Sequence, residues 1–102
     1  MVVWTGPARL DLKAIYDYIK MESVYYATVV AEEIIELSES LEFSPQRGRV
    51  VPEFSEDNVR ELFIYSYRLI YEITDSQTVI ILAVIHGRRN IDEITLTEFK
   101  NH

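Results

Sequence analysis

Apolar positions recur every three or four residues through the first forty, then crowd into short runs rich in β-branched and aromatic side chains. The first spacing is helical and the second is that of strands, so the chain predicts helices followed by a sheet. Val2–Trp4 predicts a short strand. Thr5 stands where a helix N-cap belongs, and Pro7 falls in the first turn, where a missing N–H costs little. Ala8, Leu12, Ile15 and Ile19 then form one continuous stripe. Ser23 is the expected cap of a second helix with the stripe Tyr26, Ala27, Val30, Ile34, Leu37 and Leu41, and with Glu32, Glu33, Glu36 and Glu39 on its other side. Very few residues separate the helices, which predicts an antiparallel hairpin.

Beyond Pro45 and Gly48 the period changes. Val59–Ile64, Tyr67–Thr74 and Thr78–His86 predict three strands, joined by connections short enough to make neighbours antiparallel. The last of them, TVIILAVIH, is apolar on both faces and should be a central strand covered on each side. Glu93–Phe99 predicts a short terminal helix. The expected fold is α+β: an N-terminal antiparallel helical hairpin packed on a small antiparallel β-sheet, in the order β-α-α-β-β-β.

Composition narrows the picture. At 102 residues the chain is one domain, 1–102, able to bury roughly 60–70% of its unfolded surface. The loop-forming stretches Ser44–Gly48, Glu56–Asn58 and Asp75–Gln77 are too short to link domains, and no repeat is visible. The absence of cysteine removes disulfides, thiolate metal sites and thiol nucleophiles. The longest apolar run, Val79–Ile85, is seven residues, against about 20 for a membrane crossing. Met1–Pro7 carries no secretory pattern, so the expectation is a soluble, cytoplasmic domain.

Charge is the more informative number. The net charge is −7, and phosphate-gripping proteins usually carry a basic excess. Residues 1–43 hold three basic and eight acidic side chains, whereas residues 44–91 hold six of each. All six basic ones are arginines: Arg47, Arg49, Arg60, Arg68, Arg88 and Arg89. Arginine without lysine favours forked contacts to carboxylates or phosphates. Antiparallel pairing is expected to bring Arg60, Arg68 and the strand end at His86–Arg89 onto one side of the sheet, an anion-binding cluster of Arg60, Arg68, His86, Arg88 and Arg89. The competing expectation pairs each arginine with a nearby carboxylate. His86, just before Gly87, should reach the rim of the sheet as a hydrogen-bonding strut or a proton-transfer group. His102 is terminal.

Leu10, Ala14 and Met21, with Asp17 between, form a second line on the first helix. If it is not covered by the second helix, it is a docking line for a partner helix. No metal-ligand spacing, nucleophile–base pattern or phosphate-cradling glycine loop occurs, so neither a metal nor a cofactor is expected.

The segments VVWTGPARLDLKAIYDYI, PQRGRVVPE followed by VREL, YRLIYEI and VIILAVIHGRRN together resemble the RelE/ParE toxin superfamily of bacterial type II toxin–antitoxin systems. The resemblance runs from Val3 to about Asn90. It implies the fold already expected from periodicity, and a toxin neutralised by a cognate antitoxin that wraps a disordered segment around it. RelE-like members cleave mRNA on the ribosome; ParE-like members poison DNA gyrase. RelE-type roles would fall on Arg60, Arg68, His86 and Arg88, with arginines stabilising phosphorane charge and His86 moving a proton. On that reading, Arg68→Ala or His86→Ala abolishes cleavage while folding is retained. The typical middle-segment lysines are absent and no tyrosine follows Tyr71, so the resemblance is closer to ParE. It implies gyrase as target, for which the expected contacts are Arg60, Arg68, His86, Arg88 and Arg89; the antitoxin is expected to cover the line of Leu10, Ala14 and Met21 or to add a strand at the sheet edge. The alternatives are the ribosome and its mRNA as target, or a degenerate module that only binds its antitoxin.

Overall fold

The computed structural model describes residues 1–88. Val2–Trp4 forms β1, Gly6–Lys20 α1 and Val24–Ser40 α2; a 3-10 turn at Pro45–Arg47 leads into β2 (Arg49–Val50), β3 (Val59–Ile64), β4 (Tyr67–Ile73) and β5 (Val79–His86). The expected order holds, with the two-residue β2 added to it. The predicted helix at Glu93–Phe99, together with Arg89 and His102, lies outside the described residues.

Both predicted caps form. The Thr5 hydroxyl accepts the Ala8 N–H at 3.1 Å, and the Ser23 hydroxyl accepts that of Tyr26 at 3.0 Å. Each satisfies one of the donors that the first helical turn leaves open, for about 1 kcal/mol. The sheet order is β1-β5-β4-β3-β2, with β1 parallel to β5 and every other pair antiparallel. β5 is therefore internal, as its two apolar faces demand.

The hairpin covers one face of the sheet. Ala8, Ile15, Val30 and Ile34 pack there against Leu69, Tyr71, Val79, Ile81 and Val84. On the other face Val51, Val59, Ile70, Leu82, Ala83 and Ile85 form a second cluster, with Phe54 packed against it. Each such aliphatic side chain contributes about 1.5–3 kcal/mol when fully buried. Tyr26 departs from its predicted stripe: in the first turn of α2 it is 49% exposed and its ring meets Tyr65 in place of the core.

One irregularity controls the far end of β5. Ile70 pairs with Ala83 but Tyr71 pairs with Ile81, so Leu82 is an extra residue without a partner. Such a β-bulge reverses the alternation of faces beyond it. Leu82 and Ala83 both join the outer cluster, and Val84 returns to the helix side. Past Ile81, where β1 has ended, α1 satisfies the edge of β5. The Thr5 hydroxyl donates to the Leu82 carbonyl at 3.4 Å, and an Asp11 carboxylate oxygen accepts the Val84 N–H at 3.0 Å. The Trp4 indole N–H donates to the Ser38 hydroxyl at 3.2 Å and fixes α2 to the β1 edge.

Gly48 enters the sheet where no side chain fits. Its N–H donates to the Tyr71 hydroxyl at 2.9 Å, and that hydroxyl donates to the Pro45 carbonyl at 2.7 Å. A Cβ on Gly48 would lie 2.6 Å from both the Glu61 carbonyl and the Tyr71 hydroxyl. Gly48→Ala must therefore push the backbone off β3 and should destabilise the protein by about 2–3 kcal/mol. Urea unfolding measures this, with unchanged midpoints counting against the contact.

Candidate functional site

Among the described residues, Arg60 and Arg68 do not share one side of the sheet as expected; Arg89 lies outside them. Arg60 pairs directly with Tyr71 and so shares the helix-covered face, whereas Arg68 pairs with Phe63 on the opposite one. His86 would share the side of Arg68 if β5 alternated regularly. The bulge at Leu82 instead aligns it with Tyr67, edge-on at 6.2 Å between ring centroids. Arg88 is exposed in the turn beyond β5. Pleat and bulge together separate residues that sequence spacing alone would bring together.

Arg60 works as a tie between loops. Its Nε donates to the Asp57 carbonyl at 2.9 Å, and one Nη donates to the carbonyls of Gly48 at 2.9 Å and Gln46 at 3.2 Å. Arg68 is occupied more completely. Its two Nη atoms fork onto the Glu53 carboxylate at 3.0 and 2.9 Å, and its Nε donates to Glu61 at 2.7 Å. The Arg68 side chain is only 5% exposed and Glu61 is fully buried. Glu61 takes a second cation, Arg49, at 2.6 Å, and Arg49 lies over the Phe63 ring at 5.0 Å. The hydrogen bonds that Arg68 donates to Glu53, and then to Glu61, raise its pKa against the opposing effect of burial. Two cations and two anions balance one another here.

The expectation that Arg68→Ala spares the fold is accordingly corrected. Truncation would leave the buried Glu61 carboxylate with one of its two cations and Glu53 without its forked partner.

A different surface gathers exposed chemistry. At the closed end of the helical hairpin, Tyr18, Met21 and Tyr26 face Tyr65 and Tyr67 across a groove of about 520 Å³. A second groove of about 450 Å³ adjoins it through Tyr18, Ser66 and Tyr67 and runs to Ala14 and His86. Leu10 and Met21 are 68% and 82% exposed, and Ala14 is exposed too, so α2 leaves the predicted docking line uncovered. Tyr65 occupies the first position of the two-residue β3–β4 turn at φ +54°, a conformation that glycine adopts without cost and tyrosine does not. Its hydroxyl donates to the Glu33 carboxylate, and its ring meets Tyr26 edge-on at 6.4 Å. These contacts hold the turn against α2. The period of α2 places Tyr26 on the core stripe, so periodicity alone could not mark this aromatic cluster.

The chain matches the model of the ParE toxin of type II toxin–antitoxin system, parDE, over residues 2–91. The protein belongs to the ParE toxin family. No curated protein sequence is similar enough to add a relative. Among solved structures, the fold is similar to the chromosomal ParDE system from P. aeruginosa (24% identity, 83% of this chain and 92% of that chain, TM-score 0.69). It is also similar to the toxin–antitoxin complex RelBE2 from Mycobacterium tuberculosis (28% identity, 84% and 95%, TM-score 0.61). The RelE/ParE resemblance and the fold that it implied are thus both established.

Within this ParE-family chain no group of three or more potential metal ligands occurs among the described residues, and no helix there is long and apolar enough to cross a membrane.

Arg68→Ala should cost about 3–5 kcal/mol of stability, the penalty of stranding a buried ionic partner. Equilibrium urea unfolding tests it; a loss below 1 kcal/mol would show that water reaches Glu61. The Tyr65–Glu33 hydrogen bond pushes the Tyr65 phenol from 10.0 up to about 12. The folded state thus favours the protonated phenol. Its contribution is complete below pH 10, the unfolded value, and disappears as pH rises through about 12. In an absorbance titration, Tyr65→Phe should remove one late-titrating phenol. An unchanged late phase would place the shift on another tyrosine.

Proposed function

We propose that this type II toxin acts on DNA gyrase through protein–protein contacts, breaks no bond of its own, and is silenced by a cognate antitoxin. The observation that carries this reading is the occupation of the arginines. A nuclease working on a phosphodiester needs guanidiniums or other donors aimed at the developing charge. Arg68 is instead forked onto Glu53 and held on Glu61, and Arg60 is bound to backbone carbonyls. His86 and Arg88 remain exposed at the end of β5 and are the proposed target contacts. Arg60 and Arg68, engaged by carbonyls and by Glu53 and Glu61, take no part in that contact, and Arg89, next in sequence to Arg88, is proposed to join it. The antitoxin is proposed to cover Leu10, Ala14 and Met21.

The likeness to RelBE2 favours a second reading, ribosome-dependent mRNA cleavage, as the superfamily resemblance implies for RelE-like members. His86→Ala is the informative variant for that reading, since an exposed side chain can be removed without disturbing the core. A module that only binds its antitoxin is the third.

Purified protein, gyrase and relaxed plasmid separate the three. Supercoiling should stop on adding the toxin and resume when the antitoxin is added. Unaffected supercoiling with cleaved mRNA on ribosomes, and cleavage lost in His86→Ala, would establish the nuclease. Absence of both effects, with no growth arrest on induction, would leave the binding module.

A further inference from the structure

The groove at the closed end of the hairpin combines three properties. It is broad and apolar: Tyr18 and Met21 are 74% and 82% exposed, and Tyr26 and Tyr65 are about half so. Contiguous exposure of this kind in a small domain marks a contact surface. Its polar groups include the phenolic hydroxyls of Tyr18, Tyr26, Tyr65 and Tyr67, and Glu22 lies on the lining, which among the described residues contains no lysine, arginine or histidine. Glu33 stands beside it, bound to Tyr65.

The surrounding field has the same sign. α2 carries Glu32, Glu33, Glu36 and Glu39 and no basic residue over Val24–Ser40. The closest cation in sequence, Lys20, is engaged with Asp17 at 3.2 Å, and Lys13 shares that carboxylate group at 2.7 Å. Among the described residues, Arg49 and Arg68 are held in the carboxylate network on the opposite face of the sheet, Arg60 is held on backbone carbonyls, and Arg88, exposed in the turn beyond β5, is not among the residues that line the groove. Phosphates brought here would meet carboxylates, with no cation among the described residues that line the groove. A guanidinium or ammonium would meet tyrosine ring faces, phenolic oxygens and Glu22.

We propose that this groove receives a lysine- or arginine-bearing amphipathic segment of the antitoxin, its apolar side chains seated among Tyr18, Met21, Tyr26, Tyr65 and Tyr67 and its cations on the acidic rim. The proposal rests on the reading of this chain as an antitoxin-neutralised toxin and specifies the chemistry of that contact. It extends the Leu10–Ala14–Met21 line, whose Met21 end opens into the groove.

The probe is the antitoxin encoded in the adjacent reading frame, titrated against full-length toxin at low and at physiological salt. Met21→Lys and Glu22→Lys alter exposed side chains, so folding is retained. Each should raise Kd by about 10-fold or more at low salt, and Glu22→Lys should flatten the salt dependence. Asp75→Lys, which makes the same charge change as Glu22→Lys in the β4–β5 turn, should move Kd by less than about 2-fold. Equal effects from all three variants, or none from any, would overturn the groove as the site while leaving the toxin–antitoxin reading intact. Tighter binding by Glu22→Lys would mean an acidic segment and overturn the proposal. Single-stranded RNA held by the wild type and released by Tyr26→Ala would overturn it in favour of nucleic acid. Failure of the antitoxin to bind the wild type would overturn the antitoxin reading and the proposal together.

Discussion

Strand β5 has to be dry on both faces, and the rest of the molecule is arranged to keep it so. Seven consecutive apolar residues, Val79–Ile85, cannot leave either side of a sheet in water without losing several kcal/mol. The helical hairpin supplies one cover. On the other face no helix lies among the described residues, and the segment between β2 and β3, with Val51 and Phe54, takes part in covering it. A loop laid over apolar surface must be tied down. The tie is electrostatic: Glu53, carried by that segment, is gripped by Arg68 on β4. Glu61 on β3 grips the same guanidinium from beneath, and Arg49 on β2 completes its coordination. Burial of Arg68 and Glu61 becomes tolerable because they neutralise each other and share hydrogen bonds with Glu53 and Arg49 nearer the surface.

That solution decides what charge is left for function. In a chain of net charge −7, arginines are the scarce charge type. Two of them neutralise buried or partly buried carboxylates and a third ties loops through their carbonyls. The exposed field near the hairpin is consequently acidic, although the sequence between residues 44 and 91 is balanced. An arginine count therefore overstates the capacity of this surface to attract phosphate. What matters is how many guanidiniums remain without a carboxylate or a carbonyl in reach.

Much of the architecture is legible in one dimension because it follows from periodicity and capping. The helix starts at Thr5 and Ser23, the hairpin, the three long strands and the internal place of β5 all depend on local residue chemistry. The site is less legible, for a specific reason. Alternation along a strand predicts faces only while the register is regular, and the single extra residue at Leu82 carries no distinctive sequence mark between apolar neighbours. It moves His86 from the face of Arg68 to the face of Tyr67. Asp11 is equally silent in the sequence: a polar residue on an amphipathic helix, it reads as solvent-facing until β5 is found to need an acceptor for the Val84 N–H. The aromatic groove is hidden for another reason. Tyr18, Tyr26 and Tyr65 come from three separate segments, and only the position of the β3–β4 turn under the hairpin brings them together.

The bulge and the groove are connected. Regular alternation would present His86 to the outer face and leave Tyr67 without its edge-on neighbour. The reversal lines the helix side of the sheet end with both rings, beside Tyr18 of α1. Tyr65 is held at an uncommon positive φ by Glu33 and Tyr26, contacts that close the other wall of the same groove. A bulge and a left-handed tyrosine each cost conformational free energy, about 1–3 kcal/mol for such a backbone state. The tyrosine is not required to bury the core, since a glycine at position 65 would make the turn more readily. Both act to shape one exposed surface. The bulge thus serves the core and the groove at once, by turning Val84 and His86 to the helix side, whereas the strained Tyr65 serves only the groove wall, the surface proposed to receive the antitoxin.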